Sequence, residues 1–206
     1  MNWEEKKLKL AKTLQEIKAI KFGEFTLVSG KTSPYYIDLR VVPSFPEAYD
    51  FITDLYVDKM KEELDIKGNE VLVGVPTAGV PLASLIAYKL KLPMVYVRKK
   101  AKEHGTGKRI EGVIKPGQKI IIIDDLITSG KSNMEVVQAL KEDGFEAKDV
   151  ILLVDRLQGG VERMKGEGIY VRPVMDVIEI VESLEKDGAL SCEQAKTIKA
   201  YVEGSQ

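Results

Sequence analysis

Residues 120–132 read IIIIDDLITSGKS, and the fold follows from them. Ile120 to Ile123 leave no polar face. Such a run suits a strand covered on both sides, the condition of a strand inside a parallel α/β sheet. Asp124 and Asp125 come next, where the buried strand emerges, so at least one is expected at a cleft rather than in free solvent. Leu126 and Ile127 lead to Thr128, Ser129, Gly130, Lys131 and Ser132, and a helix is predicted from Ser132 to Glu142, ended by Gly144. Small and hydroxyl-bearing residues let several backbone N–H groups converge, and a helix N-terminus favours an anion there. A phosphate held by this loop places its sugar over the two aspartates, which accept hydrogen bonds from vicinal hydroxyls. Two carboxylates beside a phosphate also call for a divalent ion, and Mg²⁺ reaches such sites partly through water. Read alone, the pair serves equally as a cap for the following helix.

The alternation continues outward from this run. Val71–Val75 and Met94–Val97 read as strands, with Val80–Leu90 as a helix between the two. Beyond the central helix lie strands at Val150–Val154 and Gly168–Pro173, then helices near 176–186 and 191–203. Short apolar strands separated by helices predict an α/β fold, a mostly parallel central sheet flanked by helices. At the other end, Leu10, Leu14 and Ile17 mark an amphipathic helix over 3–20, and Pro46 opens a second helix running to about Leu64. Between them, Phe25 and Leu27 alternate with polar residues before the turn residues 29–34 and Tyr35-Tyr36-Ile37, which reads as a hairpin outside the main sheet.

The bulk numbers narrow the function classes. A chain of 206 residues suits one domain with a full core. With 44% hydrophobic and 31% charged residues it has a soluble globular balance, and its apolar runs are strand-sized, too short for a membrane span. The charged start MNWEEKKLKLAK lacks the apolar stretch of a signal peptide, and the single cysteine, Cys192, excludes an intrachain disulfide and a zinc–cysteine cluster. A cytoplasmic protein is expected. The net charge of −1 argues against a dedicated nucleic-acid binder. Abundant Glu and Lys beside scarce Asn and Gln fit a heat-adapted source.

Two further loops fall where an open α/β sheet binds ligands, beyond strand carboxyl ends. Gly74 to Pro81 holds two prolines and two glycines in a tight backbone that can present N–H groups to a diphosphate, or serve only as a turn. Lys99 to Gly112 is basic, contains Gly105, Gly107 and Gly112, and holds the single histidine, His104, near Lys102. It reads either as solvated coil or as a cationic lid over a polyphosphate. Two motif readings fail on spacing: Gly130-Lys131-Ser132 ends like a P-loop, but Asp125 stands where that motif needs its first glycine, and Gly105-Thr106-Gly107 lacks the third glycine of a dinucleotide fingerprint.

Taken together, these segments resemble a known family. IIIIDDLITSGKS resembles the PRPP-binding signature of the type I phosphoribosyltransferases. Phe22-Gly23-Glu24-Phe25-Thr26-Leu27 with Ser29-Gly30 and Ser33-Pro34-Tyr35-Tyr36, the run Arg98 to Gly105, and Asp155-Arg156 resemble the orotate phosphoribosyltransferases. The resemblance implies a type I phosphoribosyltransferase fold with hood elements at about 1–45 and in the C-terminal part, and a lid at about 99–112. It implies transfer of ribose 5-phosphate from PRPP to orotate with Mg²⁺ in pyrimidine biosynthesis, by a homodimer whose lid reaches the partner's site. Residues 124–132 (Asp124, Asp125, Leu126, Ile127, Thr128, Ser129, Gly130, Lys131, Ser132) then hold the ribose 5-phosphate. Arg98, Lys99, Lys102 and His104 contact PRPP, and Thr77, Ala78 and Gly79 form the pyrophosphate loop. Lys102, His104, Asp124 and Asp125 carry the catalysis, while Tyr36, Thr128 and Arg156 line the orotate pocket. The match has departures: Val28 and Ala78 stand where familiar bacterial members carry lysines, and Lys131 stands where a small residue or threonine is usual. A phosphoribosyltransferase for another base, or a regulator of this fold that binds nucleic acid, are the alternatives.

Overall fold

Capping chemistry sets where the helices start. Asn2 and Ser191 each accept from the backbone N–H three residues on, with Glu5 and Gln194 closing the capping boxes. The computed structural model describes residues 1–26, 30, 32–98 and 109–204. The chain opens with α1 (Trp3–Glu16), the antiparallel hairpin β1 (Ile20–Thr26) and β2 (Thr32–Ile37), a 3₁₀ helix at Leu39–Ser44, and α2 (Pro46–Glu63). Then follow β3 (Glu70–Gly74), α3 (Gly79–Leu90), β4 (Met94–Val97), β5 (Ile110–Glu111), β6 (Lys119–Ile127) and α4 (Lys131–Glu142). The chain continues through β7 (Ala147–Asp155), α5 (Gly160–Gly166), β8 (Tyr170–Asp176), α6 (Val177–Lys186) and α7 (Cys192–Glu203).

The main sheet runs β5-β4-β3-β6-β7-β8, all parallel except the edge strand β5. This is the mostly parallel, helix-flanked sheet the sequence predicts, with the small hairpin sheet apart from it. The isoleucine run lies at its centre, and successive residues feed opposite faces. Leu72, Ile121, Ile123, Ile151 and Leu153 enter one core with α1, α2, α3, α6 and α7. Val71, Val73, Ile120, Ile122, Val150 and Leu152 enter a second core beneath α4 and α5. Burial on both faces is why no polar alternation shows in these strands.

Several boundaries differ from the sequence reading. The first helix ends at Glu16 rather than running to residue 20, because Lys18 turns into the left-handed region (φ 57°) before β1 begins. The strand expected to stop at Ile123 runs on to Ile127, since β7 stays paired with it as far as Asp155. The aspartates therefore sit on a strand still bonded on one side. β5, α5 and the 3₁₀ helix were not expected. α5 is short, starts after Gly159 (φ 79°), and buries only Met164 beside Gly160, too little for helical periodicity to register.

Candidate active site

The chain leaves β3 for β4 on one side of the sheet and returns as β6 on the other, so β3 and β6 flank the switch point of the topology. Ligands of open α/β sheets bind in the crevice beyond the strand ends at such a point. β3 stops at Gly74, paired with Ile123, while β6 carries on. The gap so created is a cleft of about 260 Å³, lined by Arg40, the turn Val75–Ala78, Asp124, Asp125, Leu126 and residues 128–133. A larger groove of about 520 Å³ lies between the hairpin and α7, but its lining includes Phe22, Pro34, Ile198 and Tyr201 and none of the loop after β6. The polar chemistry belongs to the smaller cleft.

Asp124 is buried, at 5% exposure, and its carboxylate accepts from Asn133 Nδ2 (2.8 Å) and from the backbone N–H of Asp125 (2.9 Å). The hydroxyl of Tyr56 donates to its backbone carbonyl (2.7 Å). Burial, and then the adjoining charge of Asp125, push the Asp124 carboxyl well above the usual carboxylate range. Burial also raises Asp125, against the pull of several hydrogen bonds. Two carboxylates so placed attract a cation or the hydroxyls of a sugar. Among the described residues no group of three or more His, Cys, Asp or Glu side chains could hold a metal ion.

The loop after β6 fits an anion. Gly130 adopts φ 72° at the start of α4, and Ser129, Lys131 and Ser132 are exposed around it. The loop rests on α5: a Cβ on Gly160 would fall 2.3 Å from the Thr128 carbonyl oxygen and 2.9 Å from the Gly130 nitrogen. Across the cleft, the Pro76–Thr77 peptide is cis, and Gly79 packs so closely that a Cβ there would sit 2.4 Å from the Ile123 carbonyl oxygen. Thr77 and Ala78 line the cleft, whereas Gly79 lies beneath it as a spacer.

The remaining expected residues divide. Ile127 is buried under the loop rather than lining it. Arg98 lies outside the cleft in a small recess with Val75, Pro76, Arg109 and Ser132, and its guanidinium pairs with Glu111 at 3.0 Å. Tyr36 is 37% exposed and packs on Phe25, with ring centroids 5.8 Å apart. Arg156 follows β7, its guanidinium carbon 5.2 Å from the centre of the Tyr35 ring. Arg156 Nε and the Tyr35 hydroxyl are both buried without a hydrogen-bond partner among the described residues. Lys99, Lys102 and His104 lie outside the described residues. Three site residues were missed: Asn133, one place beyond the quoted run, Tyr56 on α2, and Arg40. The signal for Arg40 was a single cation in the otherwise apolar stretch Leu39 to Val42.

A switch-point crevice with a phosphate-type loop and an adjacent aspartate pair on one strand, the first buried and the second half-buried, defines the phosphoribosyltransferase class, and the phosphoribosyl transferase domain family matches residues 46–187. An orotate phosphoribosyltransferase of Pyrobaculum aerophilum is 41% identical over 178 residues, covering 85% of this chain and 89% of its own. The crystal structure of orotate phosphoribosyltransferase from Aeropyrum pernix has a TM-score of 0.76 at 32% identity, covering 88% of this chain and 99% of that one. The Mycobacterium tuberculosis orotate phosphoribosyltransferase in complex with PRPP has a TM-score of 0.67 at 26% identity, covering 85% and 98%. The chain belongs to the orotate phosphoribosyltransferase family.

Proposed function

We propose that this protein transfers the ribose 5-phosphate of PRPP to orotate, giving orotidine 5′-monophosphate and pyrophosphate in pyrimidine biosynthesis. The observation that carries the reading is the loop at 128–132 placed beside Asp124 and Asp125 on one strand end. The loop's N–H groups and the start of α4 receive the 5-phosphate. The aspartates accept from the ribose hydroxyls, which relieves a pair that burial leaves crowded. As the bond from C1 to the pyrophosphate oxygen breaks, its electron pair leaves with pyrophosphate, and a nitrogen of orotate forms the new bond. Positive character builds on the ribose, and the aspartate charges favour it there. Orotate's nitrogen is already acidic, so no strong general base is assigned.

Arg156 and Tyr35 support an acceptor pocket next to the cleft. Arg156 Nε and the Tyr35 hydroxyl, buried side by side with no further hydrogen-bond partner among the described residues, suit a polar-edged planar ligand. Tyr36 and Thr128 complete that pocket in this reading. The two aspartates also fit Mg²⁺ held through water and the oxygens of PRPP, because Mg²⁺ takes few protein ligands at such sites. When bound, the ion neutralises charge on the diphosphate. Arg98, Lys99, Lys102 and His104 act on the same charge from the lid, and the assembly is a cytoplasmic homodimer that binds no nucleic acid.

Purified protein given PRPP, Mg²⁺ and orotate should consume orotate, seen as a fall in its ultraviolet absorbance. Turnover of adenine, hypoxanthine or uracil with none for orotate would sink the reading.

A further inference from the structure

Of the described residues lining the cleft, two are cations, Lys131 and Arg40. Lys131 opens α4, on the loop assigned to the 5-phosphate. The opposite wall, Val75 to Ala78, carries no cationic side chain. A substrate with phosphates at both ends needs positive charge away from the loop as well, and Arg40, the cation that does not belong to the loop, lines the same cleft. It comes from the 3₁₀ helix that follows the hairpin, not from the main sheet. Asp38 fixes it: the carboxylate accepts from Arg40 Nε at 2.7 Å and Nη2 at 2.9 Å, and caps the 3₁₀ helix through the Arg40 N–H at 3.1 Å. That pairing engages two of the five donor hydrogens a guanidinium carries. The side chain is 66% exposed, so the rest of the fork is open to a ligand.

We propose that Arg40 binds the diphosphate end of PRPP and, after transfer, the departing pyrophosphate, with Asp38 as the positioning residue. The proposal rests on the function given above. A planar fork held on one edge by a carboxylate is preorganised for two parallel hydrogen bonds to phosphate oxygens on the other. Because Arg40 rides on the segment after β2, this contact also links the hairpin to the leaving group.

Calorimetric titration of sodium pyrophosphate, PRPP and ribose 5-phosphate, each with magnesium chloride, tests it on wild type, Arg40→Gln and Arg40→Lys. In Arg40→Gln, affinity for pyrophosphate and PRPP should fall about tenfold or more, with ribose 5-phosphate kept within about twofold, as expected for loss of charge-assisted bonds at one end. Arg40→Lys keeps the charge without the fork and should fall between. Melting temperatures near wild type are expected for both, since the side chain is exposed. If wild type turns orotate over and Arg40→Gln keeps its pyrophosphate affinity, the assignment of Arg40 is overturned while the function stands. Wild type that binds neither PRPP nor pyrophosphate overturns both.

Discussion

Asp124 and Asp125 are adjacent acids at the end of a buried strand, and burial raises both carboxyls above the ordinary range. The sign of the consequence follows. A carboxyl whose folded pKa lies above its unfolded value, about 3.9 for Asp, adds stability only below that value and loses it as pH rises through the folded pKa. At neutral pH the pair therefore works against the fold. Asp125→Asn should melt above wild type at pH 7, by roughly 2–4 °C for each kcal/mol relieved. That advantage should fade as pH falls through the raised folded values and be gone by the unfolded value of about 3.9. Equal melting temperatures at both pH values would refute the crowding argument. The same variant should lose most of its orotate turnover, because one acceptor for the ribose is weakened. Tyr35 shows where residue-level reading from sequence stops. Tyr36 was singled out there, yet Tyr35 is the buried ring against Arg156, a distinction set by which face of β2 turns inward.

At the level of elements, the loop at 128–132 rests directly on α5. Gly160 lets that helix touch the Thr128 carbonyl, and a methyl group there has no room. Gly160→Ala should cost about 1–3 kcal/mol by overpacking. It should also weaken PRPP binding, because the strain falls on the loop. A melt and a PRPP titration together check this, and no change in either would mean the loop yields without consequence. The central strands were legible from sequence because four isoleucines admit no exposed face. The turn at 75–78 and the loop at 128–132 were legible because glycine, proline and hydroxyl residues mark them. α5 and β5 were not, since one has a single buried anchor beyond Gly160 and the other is two residues long. Arg40 escaped for another reason: it reaches the cleft from outside the main sheet, on the 3₁₀ helix that follows the hairpin.

For the molecule as a whole, the proposed lid and homodimer carry their own tests. Lys102→Ala should lower turnover at least tenfold, about 1.4 kcal/mol. If Lys102 serves the neighbouring subunit, mixing that variant with Asp125→Ala should restore activity in verified heterodimers. No recovery would place its action within one subunit. The hairpin offers a different consequence. β1 and β2 are made early, but the hydrophobic core that holds them includes Ile198 and Val202, and Tyr35 meets Tyr201 edge-on at 6.0 Å. Ion pairs from Lys7 to Glu179, Lys12 to Asp187 and Glu4 to Lys186 join α1 to the α6 region in the same way. The hairpin, and with it the segment that carries Arg40, is therefore fastened in part by the last helix of the chain.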